Sequence, residues 1–530
     1  MALLGLWTFA ALTIILVKSV TYIITSWQLL RKQASRGCKD PPIYPCRASP
    51  GFGSLVELLA ADRANMLCEY VEGRVSTVSE KEGRQVDTFI VRDIGGDKIF
   101  TSNPQNVKAV LATQFKEFEL GKVRLQSLLP LLGSGIFTAE GVDWSRSRAL
   151  LRPQFTREQI GQLDLEERHV QNAMQMLRVA ADGWTSPTNI QSIFFNLTID
   201  SATEFLFGKS VNSQLGSLRH SHDPGDNLAV YFDRSQRAAS KRIQLGALSW
   251  IINSKETRHS DATVHMFVDQ FVNDALARSK SQDTEQDLRG KQYVFLDALA
   301  ADTNDPVELR SQVLHLLLAG RDTTASLLSW TVLRLSRHPR VFQKLRASVT
   351  ATFGPYPSTA NISFSTLKSC QYLQHVMSEI LRLHPVVPLN RRSAISDTTI
   401  PEGGGTDGKS PIFIRKGQVI EYSPYVIHRR KNFWGHDAAE FIPERWEHRK
   451  TGWEYIPFNG GPRICIGQQF ALTEAGYVLV RLLQRFDSME DVYPEKPMRA
   501  ECSLTTYPAE PVTVRLHEPE VCEYGGYSQF

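Results

Sequence analysis

Between Val307 and Arg337 the chain runs without a proline, and an unbroken helix there would be roughly 45 Å long, enough to pass through the middle of a large domain. Its centre is not built like ordinary core. Leu316, Leu317, Leu318 and Ala319 give way to Gly320, Arg321, Asp322, Thr323 and Thr324, so small and polar groups stand where a buried helix would carry more leucine. Either those groups line a pocket, or Gly320 simply lets a neighbour come close.

The surroundings of this segment read as mostly helical. Apolar positions from about 105 to 385 recur mainly at three- and four-residue spacing, broken by Pro130, Pro153, Pro187, Pro224 and Pro306. Residues 86–101 alternate around Phe89, Val91 and Ile94 with Gly95-Gly96 between two β-type runs, and Ser102-Asn103-Pro104 offers a helix cap with a first-turn proline. A second group of strands is expected between about 386 and 425, around Ile412–Ile414 and Gln418–Tyr422. The fold class is therefore mainly α with small β-sheets. At 530 residues, 42% of them apolar, the chain has room for one large domain or two ordinary ones. Its net charge of +4 is too small to make a polyanion such as nucleic acid an obligatory partner. Seven scattered cysteines resemble no disulfide framework and fit a reducing compartment.

At the amino end no charged residue occurs from Ala2 through Val17, and apolar character resumes after Lys18. A membrane-spanning helix over residues 1–30 is expected, with Lys18 snorkelling toward one face. Arg31, Lys32, Arg36 and Lys39 crowd the following flank, which would keep the body on the cytoplasmic side. Residues 31–50, with Pro41, Pro42, Pro45 and Pro50, read as a basic, proline-rich hinge, and 51–530 as the folded body. A cleaved signal, or a helix packed on the domain, are the alternatives.

The strongest local signal is Phe458-Asn459-Gly460-Gly461-Pro462-Arg463-Ile464-Cys465-Ile466-Gly467, followed by a helical pattern from Gln468 to Phe486. Amides at a helix start favour a thiolate at Cys465, and the glycines permit close approach of a bulky planar ligand. One cysteine cannot build a zinc or iron–sulfur site, so a haem-iron thiolate or a reactive thiol is the more economical reading.

Phe458, Gly461, Arg463, Cys465 and Gly467 resemble the cysteine loop of the cytochrome P450 family. Glu379-Ile380-Leu381-Arg382 is similar to its Glu-x-x-Arg pair, Pro443-Glu444-Arg445-Trp446 to its meander, and Ala319-Gly320-Arg321-Asp322-Thr323 to its central helix. Trp144 and Arg148 fit its Trp-x-x-x-Arg clamp. The resemblance runs from about residue 41 to the carboxyl end, and with the amino-terminal anchor it looks like the microsomal members.

The resemblance implies a haem-thiolate fold holding haem b, with Cys465 as axial iron ligand. Trp144, Arg148, Arg463 and Arg392 are implied as propionate partners, and Asp322 and Thr323 as the acid and alcohol that pass protons to iron-bound oxygen. Glu379 and Arg382, three apart on one helix face, form a scaffold ion pair that Arg445 would complete. Leu317–Ala325, Asn390-Arg391-Arg392 and the Gly-rich insert Gly403–Ser410 look like the fungal alkane and fatty-acid hydroxylase branch. The implied reaction is terminal or near-terminal hydroxylation of a long alkyl chain, with tailoring of a fungal secondary metabolite as the alternative. Leu128, Leu132, Ile136, Phe137 and Ala319 form the expected apolar pocket, although core packing explains the leucines almost as well. Oxygen and NADPH-derived electrons are the implied co-substrates. The chain lacks a flavin or nicotinamide segment, so NADPH–cytochrome P450 reductase is the implied partner, with cytochrome b5 a further candidate donor. The implied location is the endoplasmic reticulum membrane, single-pass, with lipid as a partner. A non-catalytic haem carrier or sensor would need Cys465 but have no use for the Asp322-Thr323 pair.

Two motifs are set aside. Gly403–Ser410 satisfies the phosphate-loop pattern, yet β-type residues follow it instead of a helix. Asn196-Leu197-Thr198 and Asn361-Ile362-Ser363 satisfy a glycosylation pattern that a cytosolic body would never use.

Overall fold

Asp305 starts the central helix by accepting a hydrogen bond from Val307 N at 2.9 Å, with Pro306 in the first turn where its missing N–H costs nothing. The helix then runs unbroken from Pro306 to Ser336, and Pro339 opens the next one, Pro339–Phe353. This computed structural model describes residues 2–46, 51–156, 161, 163–219, 224–280 and 293–520. Pro50 and residues 521–530 lie outside the described residues.

Helices surround the central one. Ile190–Phe207 packs most extensively against it, and Lys255–Lys280, Gln468–Arg485 and Gln371–Leu383 complete the layer. Two apolar cores meet along it. Leu309, Leu314 and Leu316–Leu318 belong to one, shared with the helices Lys122–Leu132, Pro224–Leu245 and Lys255–Lys280. From Ala325 to Leu335 the helix belongs to the other, shared with Gln371–Leu383, Gln468–Arg485 and Pro339–Phe353. The seam between them falls on Ala319–Thr324, the stretch whose composition was odd.

In chain order the strands are β1 Thr88–Val91, β2 Lys98–Thr101, β3 Phe118–Glu119, β4 Thr188–Asn189, β5 Asn390–Ala394, β6 Thr398–Gly404, β7 Ser410–Ile414, β8 Val419–Tyr422, β9 Ser488–Asp491, β10 Ala500–Cys502, β11 Thr506–Pro508 and β12 Thr513–His517. The main sheet has the order β1-β2-β8-β5-β3. The expected hairpin is its β1/β2 edge, paired antiparallel with Phe89 opposite Phe100, and Asn103 caps the next helix through Gln105 N at 2.8 Å. β2 runs parallel to β8, which draws residues near 100 and near 420 together. The phosphate-loop lookalike is the turn of the β6/β7 hairpin, with no helix after it.

The amino-terminal expectation is corrected. Ala2–Ser35 is helical, but among the described residues no helix is long and apolar enough to cross a membrane. The physical reason lies in Lys18. The uncharged run that ends at Val17 reaches only about 24 Å as a helix, short of the roughly 30 Å hydrocarbon layer. Beyond it Ser19 and Thr21 interrupt the apolar face, and the Thr21 hydroxyl turns back to Val17 O at 2.7 Å. The spanning anchor, the endoplasmic reticulum single-pass location and the lipid partner inferred from it fall together. Helix also continues to Ser35, into the stretch read as hinge, before Pro41 and Pro42.

Candidate functional site

From Ser311 to Leu333 every residue of the central helix is buried except three: Ala319, Gly320 and Thr323. They share one side of the helix at the seam, so the partly accessible patch of that stretch lies there. The Thr323 hydroxyl donates to Ala319 O at 2.6 Å. Asp322, on another side, is buried; burial raises its carboxyl pKa, only partly opposed by Arg321, whose Nη1 is 3.3 Å away. Arg321 also pairs with Asp233, which is half exposed, so this acid lies one ion pair from solvent.

The cysteine loop is folded by its glycines. Gly461 has φ of +68°, and a Cβ there would lie 1.8 Å from Leu111 O, so no other residue fits. Asn459 is also left-handed, and its Oδ1 accepts from the Tyr422 hydroxyl at 3.0 Å. Cys465 N donates to Phe458 O at 3.0 Å, closing the loop just before the helix Gln468–Arg485. The Cys465 side chain keeps open surface although protein surrounds it densely, which places it in a recess rather than on an outer face. Burial raises its pKa, while the Gly467 N–H and the Arg148 guanidinium pull it down. Among the described residues no group of three or more His, Cys, Asp or Glu could hold a metal ion, so a second metal ligand set is absent.

Arginines crowd this loop. Arg148 Nη1 donates to Ile464 O at 3.1 Å, and the Trp144 ring lies under Arg463 at 4.5 Å and beside Arg148 at 5.9 Å. Arg463 Nη2 pairs with Glu140 at 2.6 Å and reaches Ala139 O at 2.9 Å. Arg392, on β5, is buried and donates to its neighbour's carbonyl, Arg391 O, at 2.8 Å and to Asn390 Oδ1 at 3.3 Å. One member of this cluster was missed by sequence reasoning: Arg124, whose Nη1 shares the same Asn390 Oδ1 at 3.1 Å. Desolvation and the nearby Arg392 and Arg463 push it down to about 10, and Arg463, mainly by desolvation, is also pushed down to about 10. Three guanidiniums thus stand together against one carboxylate, Glu140, among the described residues. Two positive charges are left over beside an accessible thiol in a recess. A planar macrocycle carrying two carboxylates and an iron that takes a thiolate fits that remainder.

The recess and the cysteine loop are joined by residues 133–140. Arg463 holds this segment from one side, and His315 of the central helix holds it from the other, accepting from Phe137 N at 3.3 Å through Nδ1. Ile136 and Phe137 sit between those two holds. Leu128, Leu131 and Leu132 are buried in the same apolar core as Leu316 and Leu318, while Leu129 is exposed. Glu379 and Arg382 stand apart from all this. They form a fully buried bidentate pair at 2.8 Å and 2.8 Å, with Arg445 Nε 3.5 Å from Glu379 Oε1 and Trp446 Nε1 2.9 Å from Glu379 Oε2.

Comparison with known proteins agrees with this geometry. Residues 77–513 match the family described as cytochrome P450. A cytochrome P450 monooxygenase, g430, of a Fusarium species is 47% identical over 91% of this chain and 86% of its own. A second, alt2, of Alternaria solani is 42% identical over 91% of both chains, and cytochrome P450 52A3-A of Candida maltosa is 42% identical over 91% and 93%. A recessed cysteine beside clustered arginines, a central helix that between Ser311 and Leu333 is open only at Ala319, Gly320 and Thr323, and matches of this extent leave one conclusion: the chain belongs to the cytochrome P450 family, the haem-thiolate monooxygenases.

Proposed function

We propose that this monooxygenase hydroxylates long-chain alkanes or fatty acids at or near the chain end. The observation that carries the reading is the one opening between Ser311 and Leu333 of the central helix, at Ala319, Gly320 and Thr323, next to the apolar core that contains Leu128, Leu132 and Ile136. An alkyl chain needs no polar partner along its length, and a leucine-lined approach to one small glycine gap would present its end first. The likeness to fungal alkane and fatty-acid hydroxylases in the sequence supports the same class.

Haem b, which the Cys465 thiolate would hold, would supply oxygen activation and C–H insertion. Trp144, Arg148, Arg392, Arg463 and Arg124 would hold its two carboxylates, offsetting charges that otherwise repel one another. Gly320 leaves room for the substrate carbon. Thr323 would turn its hydroxyl from Ala319 O into the recess and pass a proton there. Asp322, whose burial keeps it protonated to higher pH than a free aspartate, would refill Thr323 and be refilled past Arg321 and Asp233. Electrons reach cytochromes P450 from a redox partner, and here NADPH–cytochrome P450 reductase is the proposed one.

The test is turnover of lauric acid and hexadecane with reductase and NADPH, with product position read by mass spectrometry. Terminal or near-terminal alcohols are expected, together with a thiolate-type Soret band in the reduced carbon-monoxide spectrum that Cys465→Ser abolishes. Oxidation of polycyclic substrates alone would overturn the substrate assignment and favour a tailoring role in secondary metabolism.

A further inference from the structure

Among the described residues, Cys38, Cys46 and Cys370 each have an oxygen as their sulfur's neighbour: Arg36 O at 3.7 Å, Glu57 Oε1 at 3.7 Å and Ser348 Oγ at 3.5 Å. Cys68 and Cys502 differ. Their sulfurs lie 3.8 Å apart, although the residues are 434 positions apart in the chain. Cys68 stands in the first turn of the helix Leu67–Glu82 and is buried, whereas Cys502, at the end of β10, is half-buried. The hydrogen bond between them, burial and the charges of Asp62 and Glu69 all raise the Cys502 pKa, so Cys502 carries the S–H that Cys68 accepts. No part of the proposed oxidation chemistry uses either sulfur.

What the two sulfurs join matters for the opening in the central helix. β10 and β11 form a hairpin with Cys502 opposite Thr506, and the turn between them is Ser503-Leu504-Thr505. The β11 side is fixed: Thr506 N donates to Val386 O at 2.9 Å, Thr506 Oγ1 to Pro385 O at 3.2 Å, and the Ser326 hydroxyl of the central helix to Thr506 O. The β10 side carries the sulfur contact. At the tip, Leu504 packs on the apolar core of Leu128, Leu132 and Leu316, the core next to Ala319, Gly320 and Thr323. The helix Pro224–Leu245 shares that core and leans on both partners. Its Gln244 Nε2 donates at 2.9 Å to Asp62, on the helix before Cys68, and its Lys241 pairs with the same acid. Its Arg237 Nη2 lies 3.7 Å from Glu501, the neighbour of Cys502.

We propose that Cys68 and Cys502 are a reversible redox switch: a hydroperoxide oxidises them to a disulfide, and the disulfide draws Leu504 away from the apolar core and weakens substrate binding. Only the effect on turnover rests on the proposed substrate reading. In the chemical step the Cys502 sulfur attacks the peroxide O–O bond and becomes a sulfenic acid, its proton leaving with the departing hydroxide as water. The Cys68 sulfur then forms the S–S bond and displaces the sulfenic hydroxyl, which takes the Cys68 proton as a second water. Each sulfur loses one electron, and the two electrons reduce the peroxide. A dithiol returns them by exchange. Because Cys502 holds its proton firmly, the pair responds to sustained peroxide rather than to traces. Bond formation closes the sulfurs from 3.8 Å to about 2.05 Å. With β11 fixed, β10 moves toward the helix Leu67–Glu82, and the turn that carries Leu504 takes up the displacement.

The test exposes holoenzyme to rising hydrogen peroxide, quenches with catalase, alkylates the remaining thiols and reads the digest by mass spectrometry. A linked Cys68–Cys502 peptide is expected before the Soret band bleaches; dithiothreitol removes it, and Cys68→Ala and Cys502→Ser never form it. Hydrogen exchange at Ser503–Thr505 should rise in the linked form and return with dithiothreitol. KM for lauric acid should rise several-fold and return likewise, with the carbon-monoxide spectrum intact and both variants indifferent to the same peroxide dose. No linked peptide short of bleaching overturns the pair. A linked peptide with unchanged exchange, or with unchanged KM, overturns the switch. If neither form oxidised lauric acid or hexadecane while the thiolate spectrum held, the substrate reading would fail instead, and hydrogen exchange alone would decide the switch.

Discussion

Two clusters of buried arginine differ in whether their charges close. Around Arg382 every donor has an acceptor: Glu379 takes two, and His428 O, Ala438 O and Glu440 O take the rest at 2.9, 2.6 and 2.9 Å. Around Arg463 the sum does not close, because Arg124 and Arg392 add charge that only Glu140 meets. A self-satisfied network ties the Gln371–Leu383 helix to the loop near residue 440 and asks for nothing. An unsatisfied one makes the free chain unstable locally and reserves its favourable interactions for a ligand.

The largest expected effect is at the closed cluster. Arg382→Met leaves Glu379 charged, buried and short of its main partner, and should cost about 3–5 kcal/mol of stability. Denaturant midpoints measure it. If the variant were as stable as wild type, the closed network would not be scaffold.

Thr323→Ala should do the opposite, leaving the denaturant midpoint near wild type, since its hydroxyl bonds only its own helix. Productive turnover should fall toward the low end of the about 10²–10⁴-fold range of a positioned proton donor, with more NADPH spent on peroxide. Unchanged coupling would remove Thr323 from the proton path.

At the open cluster Arg124→Met should weaken haem retention by about 1.5–3 kcal/mol, the worth of a charge-assisted hydrogen bond, while haem-free stability holds or rises. Haem transfer to apomyoglobin measures the first and denaturant unfolding the second. A loss of both together would make Arg124 scaffold, like Arg382.

How much of this the sequence could show follows from separation along the chain. Glu379 and Arg382 are three apart, and the cysteine loop is ten consecutive residues, so both are visible as spacing. The odd centre of the central helix was visible as composition, because Gly320 and Thr323 interrupt leucines. Arg124 carries no such signal, since it meets Arg392 and Arg463 only after the fold brings residues near 124, 390 and 463 together. Its one trace is an arginine beside the apolar run Leu125–Leu132. The amino end misled in the other direction, because apolar length was counted across Lys18, Ser19 and Thr21.

The smallest effect separates the two clusters by pH. His428 belongs to the closed network, its Nε2 accepting from Ile456 N at 2.9 Å, and His315 holds the segment that Arg463 grips from the other side. Burial pushes each down to about 3. The unfolded chain has them near 6.5, so below that pH it takes up protons that the folded chain refuses. Stability is therefore whole above about pH 6.5 and lost as pH falls toward 3, by about 1.4 kcal/mol per histidine at pH 5.5. His428→Gln, which keeps an acceptor, should remove that share from the acid slope of global unfolding. His315→Gln should act sooner and elsewhere, because protonating His315 frees residues 133–140 and with them the acceptors of Arg463. Haem loss between pH 6.5 and 5, followed in the Soret band, should flatten in His315→Gln and not in His428→Gln. Equal acid profiles for both variants would mean that the two clusters are one cooperative unit, and that the division between a closed scaffold and an open site does not survive into the energetics.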